Sequence, residues 1–586
     1  MIVLGINAYH GDVSAALIRD GELLGAVEEE RFRRIKHWAG FPRDSILACV
    51  AMAGINPSEI DYFAVSRNPK ANLLRKILFT LGKGPNLSLV KDRVKNSVRL
   101  QELPARIADT LGLDRGHVQR RMQWVEHHPA HLGSSYFVSP FEEAAVCAID
   151  GFGDFVSTSL AVGRGSRLES IEKVYFPHSL GLLYLAITQY LGFMNYGDEF
   201  KVMGLAPYGQ PEYVEPLRRL LRLIPGGLFE LDLSYFRHHN DGVAMTWDDG
   251  EPVIGTVYSS KLEQLLGPAR RKGESLEFRH EAIAASLQVV HEEAAFHVLN
   301  RLYQCTRLEN LCLAGGCSMN SVANGKVRER TPFRNVYIQP AAGDNGTSLG
   351  AAYYVWNQVL GNPRAFQMEH GYWGPSFGDA AIQQALAARQ SDLQAQHCSV
   401  QVIAAEDELC RWTAERIAEG HVVGWYQGRM EWGARALGNR SIVADPRRTD
   451  MREIINTKIK FREKFRPFAP SILEERFNEY FVDACPDPFM VQVYPVRSEK
   501  RTIIPAVTHV DGSGRLQTVS GRTNPRYHKL IKAFERITGV PVILNTSFNE
   551  NEPIVLTPAE ALDCFLRTRM DHIVLSNYTV SKQATA

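Results

Sequence analysis

Two histidines four residues apart are the first side chains in this sequence that could bind a metal ion. In the stretch EHHPAHLGSSYF, residues 126–137, a helix would place His127 and His131 one above the other, so both imidazoles can reach one ion. Pro129 suits the first turn of such a helix. Two histidines that are simply satisfied inside the protein are the alternative. The assignment therefore depends on what else converges on that helix.

Two aspartates supply candidate carboxylate ligands. Asp150 ends the apolar stretch AAVCAID, and Asp344 lies in the Gly-rich turn AAGDNG that follows NVYIQP. Open α/β sheets bind ligands at strand ends, and two histidines with two aspartates suit Fe(II), Mn or Zn. The alternative for each aspartate is ordinary turn chemistry.

The elements that must position these groups follow a pattern that occurs twice. MIVLGI is followed by the turn NAYHGD and a hairpin at Asp20-Gly21, and AAVCAID is followed by the turn GFGD and two further strands. Two more Gly-bearing turns follow LENLCLA and NVYIQP, and the last one leads into a helix. Such junctions bind phosphates, although each turn alone is also explained by chain reversal. The pattern predicts a duplicated α/β domain with a nucleotide cleft.

The densest positive charge lies further on, in GRMEWGARALGNRSIVADPRR and NTKIKFREKFRPFAPSIL. Its members alternate with Trp432, Phe461, Phe465 and Phe468, which are predicted to be at least partly buried. Arginine forks held by packed neighbours match phosphate oxygens. A solvated face and a nucleic-acid groove are the alternatives, and the overall charge of +1 disfavours a long polyanion.

Composition predicts a cytoplasmic globular enzyme of 586 residues with no nucleic-acid or membrane partner. The nine cysteines form no C-x-x-C pair, and the N-terminus lacks a signal-peptide pattern. The longest uncharged apolar stretch, residues 180–194, is predicted to be a buried helix because it is too short to span a membrane. A segment rich in Gly, Pro and aromatic residues predicts a boundary between domains 1–362 and 363–586.

HHPAH, AIDGFGD, GGCSMN and AAGDNG resemble the metal and nucleotide motifs of the Kae/Tsa-type domain, a member of the actin/hexokinase-like fold. The resemblance implies a duplicated α/β domain that binds Fe²⁺ or a similar divalent ion through His127, His131, Asp150 and Asp344. With RRIKHW, it implies nucleotide binding by Lys36, Asp150, Gly151, Phe152, Gly153, Asp154, Gly315, Gly316, Asn320 and Asp344.

Longer stretches resemble carbamoyltransferases of the NodU/CmcH/TobZ type, among them GINAYHGDVSAAL, EEERFRRIKHWAGFP and GDEFKVMGLAPYG. The C-terminal region resembles a YrdC-like α/β domain that binds carbamoyl phosphate and ATP. Motif by motif, this implies binding there by Arg435, Ala436, Lys460, Arg466, Arg515, Asn545 and Ser547. Ala434 stands where the family often has Pro, a departure that leaves the arginines in place.

The resemblance implies an ATP-dependent O-carbamoyltransferase. Carbamate released from carbamoyl phosphate would attack the α-phosphate of ATP, with Mg²⁺ assisting, and the carbamoyladenylate would carbamoylate a hydroxyl of a small molecule such as an antibiotic, another natural product or a sugar. His10 in NAYHGD is the predicted base, because an ordinary imidazole titrates near neutral pH. Its alternative role is to shape the turn.

Two other enzyme classes share these domain types. A tRNA threonylcarbamoyladenosine enzyme would need a basic surface, which the overall charge of +1 does not indicate. A hydrogenase-maturation carbamoylation factor carries C-x-x-C motifs that are absent from this sequence. Residues 235–252 are predicted to line the acceptor pocket, but their types do not identify the acceptor.

Overall fold

A computed structural model describes residues 1–83, 87–240, 245–246 and 249–583, with side chains outside 80–98. The chain divides into two compact units, Met1–Met368 and Glu369–Ala586. The predicted domain boundary, after residue 362, falls within the last residues of the first unit. Part of the predicted acceptor region, residues 241–244 and 247–248, lies outside the described residues.

The N-terminal unit alternates strands and helices. Its strands are β1 (Ile2–Asn7), β2 (Ser14–Arg19), β3 (Glu22–Glu28), β4 (Tyr62–Val65), β5 (Met122–Trp124), β6 (Glu143–Gly153), β7 (Val156–Arg164), β8 (Arg167–Tyr175), β9 (Leu221–Leu223), β10 (Phe229–Leu231), β11 (Met245–Thr246), β12 (Val253–Ile254), β13 (Asn310–Ala314) and β14 (Asn335–Ile338). Its helices are α1 (Glu30–Arg33), α2 (Arg43–Ala53), α3 (Leu73–Lys83), α4 (Leu87–Leu111), α5 (Arg115–Arg121), α6 (His127–Tyr136), α7 (Leu180–Tyr190), α8 (Glu199–Leu205), α9 (Val214–Arg218), α10 (Ser260–Leu266), α11 (Phe278–Thr306), α12 (Ser321–Gly325), α13 (Val327–Arg330) and α14 (Gly346–Tyr353).

Two sheets of this unit have the same topology. The first has the order β3-β2-β1-β4-β5, and the second has the order β8-β7-β6-β13-β14. In both, the first three strands in the chain are antiparallel and the last two extend the sheet in parallel. The repeated hairpin pattern in the sequence therefore corresponds to a structural duplication. This confirms the predicted fold class, an actin/hexokinase-like α/β unit.

Two glycines let α14 pack closely against helix α6 and strand β1. A Cβ atom added to Gly350 would lie 1.8 Å from the carbonyl oxygen of Ala130 in α6. A Cβ atom added to Gly5 in β1 would lie 1.9 Å from the carbonyl oxygen of Ser348 in α14. Because any larger residue would separate these backbones, the two glycines hold α6, α14 and β1 together at the centre of the unit.

The C-terminal unit is a mixed α/β structure built on an eight-stranded sheet. Its strands are β15 (Cys398–Val402), β16 (Val423–Tyr426), β17 (Arg440–Ala444), β18 (Ala469–Leu473), β19 (Val493–Pro495), β20 (Ser513–Arg515), β21 (Gln517–Val519), β22 (Val542–Ser547), β23 (His572–Leu575) and β24 (Tyr578–Lys582). Its helices are α15 (Asp379–Ala388), α16 (Gln390–Ala395), α17 (Glu406–Ala418), α18 (Met451–Ile455), α19 (Pro525–Thr538) and α20 (Pro558–Arg567). The sheet order is β15-β24-β23-β16-β17-β22-β18-β21.

Most local predictions are confirmed. The helix at His127 forms, residues 180–190 form a buried helix, and Asp20-Gly21 joins β2 to β3 with both residues at positive φ. Among the described residues, no helix is both long and apolar enough to cross a membrane.

Two predictions are wrong. The residues expected to form a turn after Asp150 continue β6 as far as Gly153, and the pairing with β7 is irregular between Ile149 and Gly153. The tight reversal comes one residue later, at Asp154 and Phe155, which both have positive φ. Phe461, expected to be at least partly buried, is instead mostly exposed, at 57%, where it ends a helical segment in the left-handed conformation.

Candidate active site

Two histidines and two aspartates meet in a buried cluster in the N-terminal unit. The Nε2 atoms of His127 and His131 are 3.0 Å apart. Oδ2 of Asp150 lies 3.3 Å from Nε2 of His127, and Oδ1 of Asp344 lies 3.2 Å from Nε2 of His131. One ligand atom from each of the four residues lies within 4.8 Å of the others. The structure thus brings together all four side chains predicted to bind a metal.

These donors fit a divalent metal ion. All four side chains are buried, and Oδ1 of Asp344 has no hydrogen-bond partner among the described residues. Two imidazole nitrogens and two carboxylates that converge on one point require a positive charge between them. A mixed nitrogen and oxygen set is suited to Fe²⁺, Mn²⁺ or Zn²⁺.

The charges in the cluster are strongly coupled. Burial lowers the pKa of His127, but the nearby carboxylates of Asp150 and Asp344 outweigh it and raise this pKa to about 10. Burial also raises the pKa of Asp344, but His10 and the other two imidazoles outweigh it and hold this pKa well below its usual value. The aspartates therefore keep their negative charge, and a bound cation would compete with the histidine protons.

All four predicted Gly-bearing turns reach this cluster. The turn after β1 brings Nδ1 of His10 to 2.6 Å from Oδ2 of Asp344. Asn7, just before it, donates through its amide to the carbonyl oxygen of Asp344 at 3.1 Å. The turn after β13 donates from the backbone N–H of Gly316 to Oδ1 of Asp150 at 2.8 Å. Strand ends from both sheets therefore form one polar site.

The predicted nucleotide glycines have different environments. A Cβ atom on Gly153 would lie 2.1 Å from the His127 ring, and one on Gly315 would lie 2.3 Å from the carbonyl oxygen of Ile149. These two glycines are needed for close packing next to the cluster. Among the described residues, nothing lies within 4 Å of a Cβ atom added to Gly151. Gly151 therefore borders open space beside Asp150.

Two other predicted nucleotide residues have structural hydrogen bonds. Oδ2 of Asp154 accepts from the backbone N–H groups of His127 and Asn68, at 3.0 and 2.9 Å. The side chain of Asn320 exchanges two hydrogen bonds with Gln288 and caps α12. Asp154 thus fixes the start of α6, and Asn320 joins α11 to α12.

The remaining two predicted nucleotide residues are Phe152 and Lys36. The ring of Phe152 packs on that of Phe176, with centroids 5.0 Å apart. Lys36 is exposed next to a second group of ligand-type side chains, formed by Asp12, Glu30 and His37. Within that group His37 lies 2.7 Å from Asp12, and both are partly exposed.

The C-terminal unit contains a cluster of four partly buried arginines. Burial and the charge of Arg466 together lower the pKa of Arg435 to about 10, against the opposing effect of the Asp487 carboxylate. Burial and the charges of Arg435, Arg462 and Arg466 likewise lower the pKa of Arg515. Nε of Arg435, Nη2 of Arg462 and Nε of Arg515 are buried without a hydrogen-bond partner in the part of the chain that the structure describes. Several positive charges held close together, three of them with an N–H donor that has no described partner, match an anion that offers several oxygen acceptors.

Of the other predicted residues of this unit, Asn545 and Ser547 lie on strand β22, and Ala436 and Lys460 contact that strand. Asn545 donates through its amide to the carbonyl oxygen of Ala436 at 3.1 Å. The buried ammonium group of Lys460 donates to the carbonyl oxygen of Ser547 at 2.5 Å and to the side chain of Asn549 at 2.6 Å. These hydrogen bonds therefore bring together residues from sequence motifs that are far apart along the chain.

Two residues of this site were missing from the predicted binding set. Arg462 donates to Asn456 at 2.8 Å and stacks over Phe468 at 4.8 Å, which aims it into the cluster. Asp487 accepts hydrogen bonds from three backbone N–H groups and interacts electrostatically with Arg435. Arg462 lies inside the basic stretch KFREKFR, so the sequence could have indicated it. No sequence motif marks Asp487.

Other members of the charged run have structural or surface roles. Arg440 is fully buried, stacks over Tyr426 at 3.7 Å and donates to the carbonyl oxygen of Gln427 at 2.6 Å. Arg448 is largely exposed and pairs with Asp450 at 2.7 Å. The solvated-face alternative is therefore correct for Arg448.

Comparisons with known proteins identify the family of this chain. The family model "Carbamoyltransferase N-terminus" matches residues 2–353, and "Carbamoyltransferase C-terminus" matches residues 414–582. An uncharacterized protein of Synechocystis is 42% identical over 99% of this chain and 97% of that protein. Nodulation protein NolNO of Sinorhizobium fredii is 39% identical over 99% of this chain and 80% of that protein. By sequence, along nearly its whole length, the chain belongs to the carbamoyltransferase family.

Proposed function

We propose that this carbamoyltransferase is an ATP-dependent O-carbamoyltransferase that makes carbamoyladenylate in its C-terminal unit and carbamoylates a hydroxyl of a small molecule in its N-terminal unit. The observation that carries the proposal is the cluster of four arginines, in which Arg435, Arg462 and Arg515 each have one buried donor atom with no described partner. Carbamoyl phosphate and ATP are anions of the kind that such a cluster binds.

The first half-reaction forms a mixed anhydride. Water cleaves carbamoyl phosphate to carbamate and phosphate, a carbamate oxygen attacks the α-phosphorus of ATP, and the bond to pyrophosphate breaks. The arginines stabilise the negative charge on the phosphorus centre and on the leaving pyrophosphate, with Mg²⁺ as the partner of ATP. Lys460 donates to the carbonyl oxygen of Ser547 in β22 and so fixes the strand that carries Asn545.

The second half-reaction transfers the carbamoyl group. The acceptor hydroxyl attacks the carbamoyl carbon, AMP leaves, and the hydroxyl proton passes to His10. Asp344 orients His10 through a 2.6 Å hydrogen bond, and the carboxylate stabilises the imidazolium that forms. His127, His131, Asp150 and Asp344 would hold the Fe²⁺ or similar ion, which supplies Lewis-acid polarisation when bound.

The proposal is tested by carbamoyl-phosphate-dependent exchange of labelled pyrophosphate into ATP. We expect Arg435→Ala to lower exchange by roughly a hundredfold or more, because it removes a desolvated contact to the phosphates. Arg448→Ala is the matched control, since Arg448 is largely exposed and paired with Asp450. Normal exchange in Arg435→Ala, or exchange that does not require carbamoyl phosphate, would refute the proposed first half-reaction.

A further inference from the structure

The helix α3 exposes a stripe of large apolar side chains. Leu73, Leu74, Ile77 and Leu78 are 53%, 78%, 46% and 68% exposed. Residues at this spacing lie on one face of a helix. Such a contiguous apolar surface, unlike single exposed residues, marks an interaction site.

The opposite face of α3 is attached to the body of the N-terminal unit. The ring of Phe79 packs edge-on against Phe155 and Phe176, with centroids 5.6 and 5.4 Å apart. The guanidinium of Arg75 lies 3.7 Å above the ring of Tyr175. These contacts orient the helix so that its apolar stripe faces outward.

The sequence around this stripe is strongly basic. Between residues 70 and 99 the basic residues are Lys70, Arg75, Lys76, Lys83, Lys91, Arg93, Lys95 and Arg99, and Asp92 is the single acid. Eight positive charges less one negative charge give +7 for this segment, whereas the whole chain carries +1. The neutral total therefore hides a local concentration of positive charge.

We propose that α3 docks this protein on a membrane surface that contains anionic lipids. An apolar helix face within a segment of the sequence that is rich in Lys and Arg is the pattern of a helix that lies in the membrane interface, where apolar side chains enter the acyl region and cations meet the phosphates. Charge complementarity selects this partner over an uncharged protein surface. The proposal replaces the expectation, drawn from net charge, that the protein has no membrane partner.

Hydrogen bonds connect the residues just before α3 to Asp154, which lies beside the candidate active site. Asn72 donates through its amide to the carbonyl oxygen of Asp154 at 2.9 Å, and the N–H of Asn68 donates to the Asp154 carboxylate. The same carboxylate accepts from the backbone N–H of His127. Docking through α3 would therefore hold the edge of the transfer site close to the lipid headgroups, where it can meet an acceptor that partitions into the membrane.

Co-sedimentation of the full chain with lipid vesicles tests this proposal. We expect binding to vesicles of phosphatidylcholine mixed with phosphatidylglycerol, weaker binding at high salt, and none to phosphatidylcholine alone. The double variant Leu74→Glu/Leu78→Glu should lower the vesicle-bound fraction by roughly tenfold or more. Val402→Glu/Val510→Glu is the matched control, because these residues are 62% and 51% exposed in the other unit.

Circular dichroism and pyrophosphate exchange show whether each variant is folded, independently of membrane binding. Failure of the wild type to bind anionic vesicles would overturn the proposal, as would equal binding by Leu74→Glu/Leu78→Glu. If light scattering instead shows a dimer that this variant dissociates, the stripe is an interface between copies and the membrane proposal is wrong. None of these results depends on which acceptor is carbamoylated.

Discussion

At the scale of single residues, His10 combines two properties that a general base needs. It lies in the first turn of the N-terminal unit, and its Nδ1 is held by Asp344 at 2.6 Å. Its ring also lies 4.9 Å from that of His127, beside the candidate metal site. This geometry supports a role in transfer.

His10→Asn should therefore separate the two half-reactions. We expect carbamoyl-phosphate-dependent pyrophosphate exchange to continue, while carbamoyl transfer falls by roughly 10²–10⁴, because Asn keeps a similar size but cannot accept the proton. Both rates can be measured on one preparation with any alcohol that the enzyme accepts. Loss of both activities would assign His10 a structural role, and unchanged transfer would assign the base to another group.

Residue types and spacing were enough to predict which four side chains meet in the buried cluster. His127 and His131 were recognisable from their helical spacing, and Asp150 and Asp344 from their positions after apolar strands. The role of Asp154 could not be read in this way, because its carboxylate accepts from the backbone N–H of a residue far along the chain. Backbone donors are identical at every position, so a sequence cannot indicate which ones meet.

At the scale of elements, the distance between α6 and α14 decides whether the metal ligands can meet. α6 carries the two histidines, and Asp344 lies in the turn that leads into α14. Gly350 lets the two helices touch at their backbones. A larger residue at position 350 would therefore displace the helix that carries the two histidines, although Gly350 is not itself a candidate ligand.

Gly350→Ala should weaken metal binding without removing any ligand. Its Cβ would lie 1.8 Å from the carbonyl oxygen of Ala130, so α6 must move away from α14. We expect destabilisation of about 1–3 kcal/mol and a lower content of Fe²⁺ after dialysis, measured by mass spectrometry. Gly378→Ala is the control, because nothing described lies within 4 Å of its added Cβ. Wild-type metal content in Gly350→Ala would contradict this role.

The loop that carries Asp487 should make the stability of the C-terminal unit depend on pH. Burial raises the pKa of this carboxyl to about 7, against three backbone N–H donors. Because this value lies above that of an exposed aspartate, the protonated form stabilises the fold at low pH, and this contribution is lost as the pH rises through about 7. Between pH 6 and 8 the expected loss is about 1.4 kcal/mol.

Urea denaturation of the wild type and Asp487→Asn at several pH values measures this effect. The variant cannot titrate at this position, so its free energy of unfolding should fall less than that of the wild type over the same range. Comparing the two proteins removes the contribution of all other titrating groups. A constant difference between pH 6 and 8 would show that Asp487 stays in one charge state.

Element boundaries were less predictable than element types. β6 was expected to stop at Asp150, where Gly-rich residues begin, but pairing resumes at Gly153 across an irregular stretch. An alternation of apolar residues predicts a strand, whereas a bulge depends on what packs against it. Asp150 lies within this irregular stretch, and its carboxylate is 3.3 Å from His127.

At the scale of the whole molecule, the chain combines a duplicated unit with an unrelated one. The duplication was visible in the sequence because strand, polar turn and hairpin recur in the same order, and the two sheets have identical strand orders. The total charge of +1 averages the basic segment around α3 with acidic regions elsewhere. A sum over the chain cannot show where charges are concentrated.

The division of labour between the units predicts the behaviour of a mixture of two inactive variants. Under the proposed function, Arg435→Ala cannot make carbamoyladenylate but keeps the transfer site, and His10→Asn keeps adenylate formation but cannot transfer. A mixed anhydride of carbamate and AMP is exposed to hydrolysis once it enters water. We therefore expect the equimolar mixture to recover only a small part, on the order of a few per cent, of wild-type transfer. Transfer can be followed as acceptor carbamoylation, with pyrophosphate exchange as the measure of adenylate formation. Full recovery would mean that the adenylate is released and survives in solution, so that the two units act as independent enzymes joined by one chain.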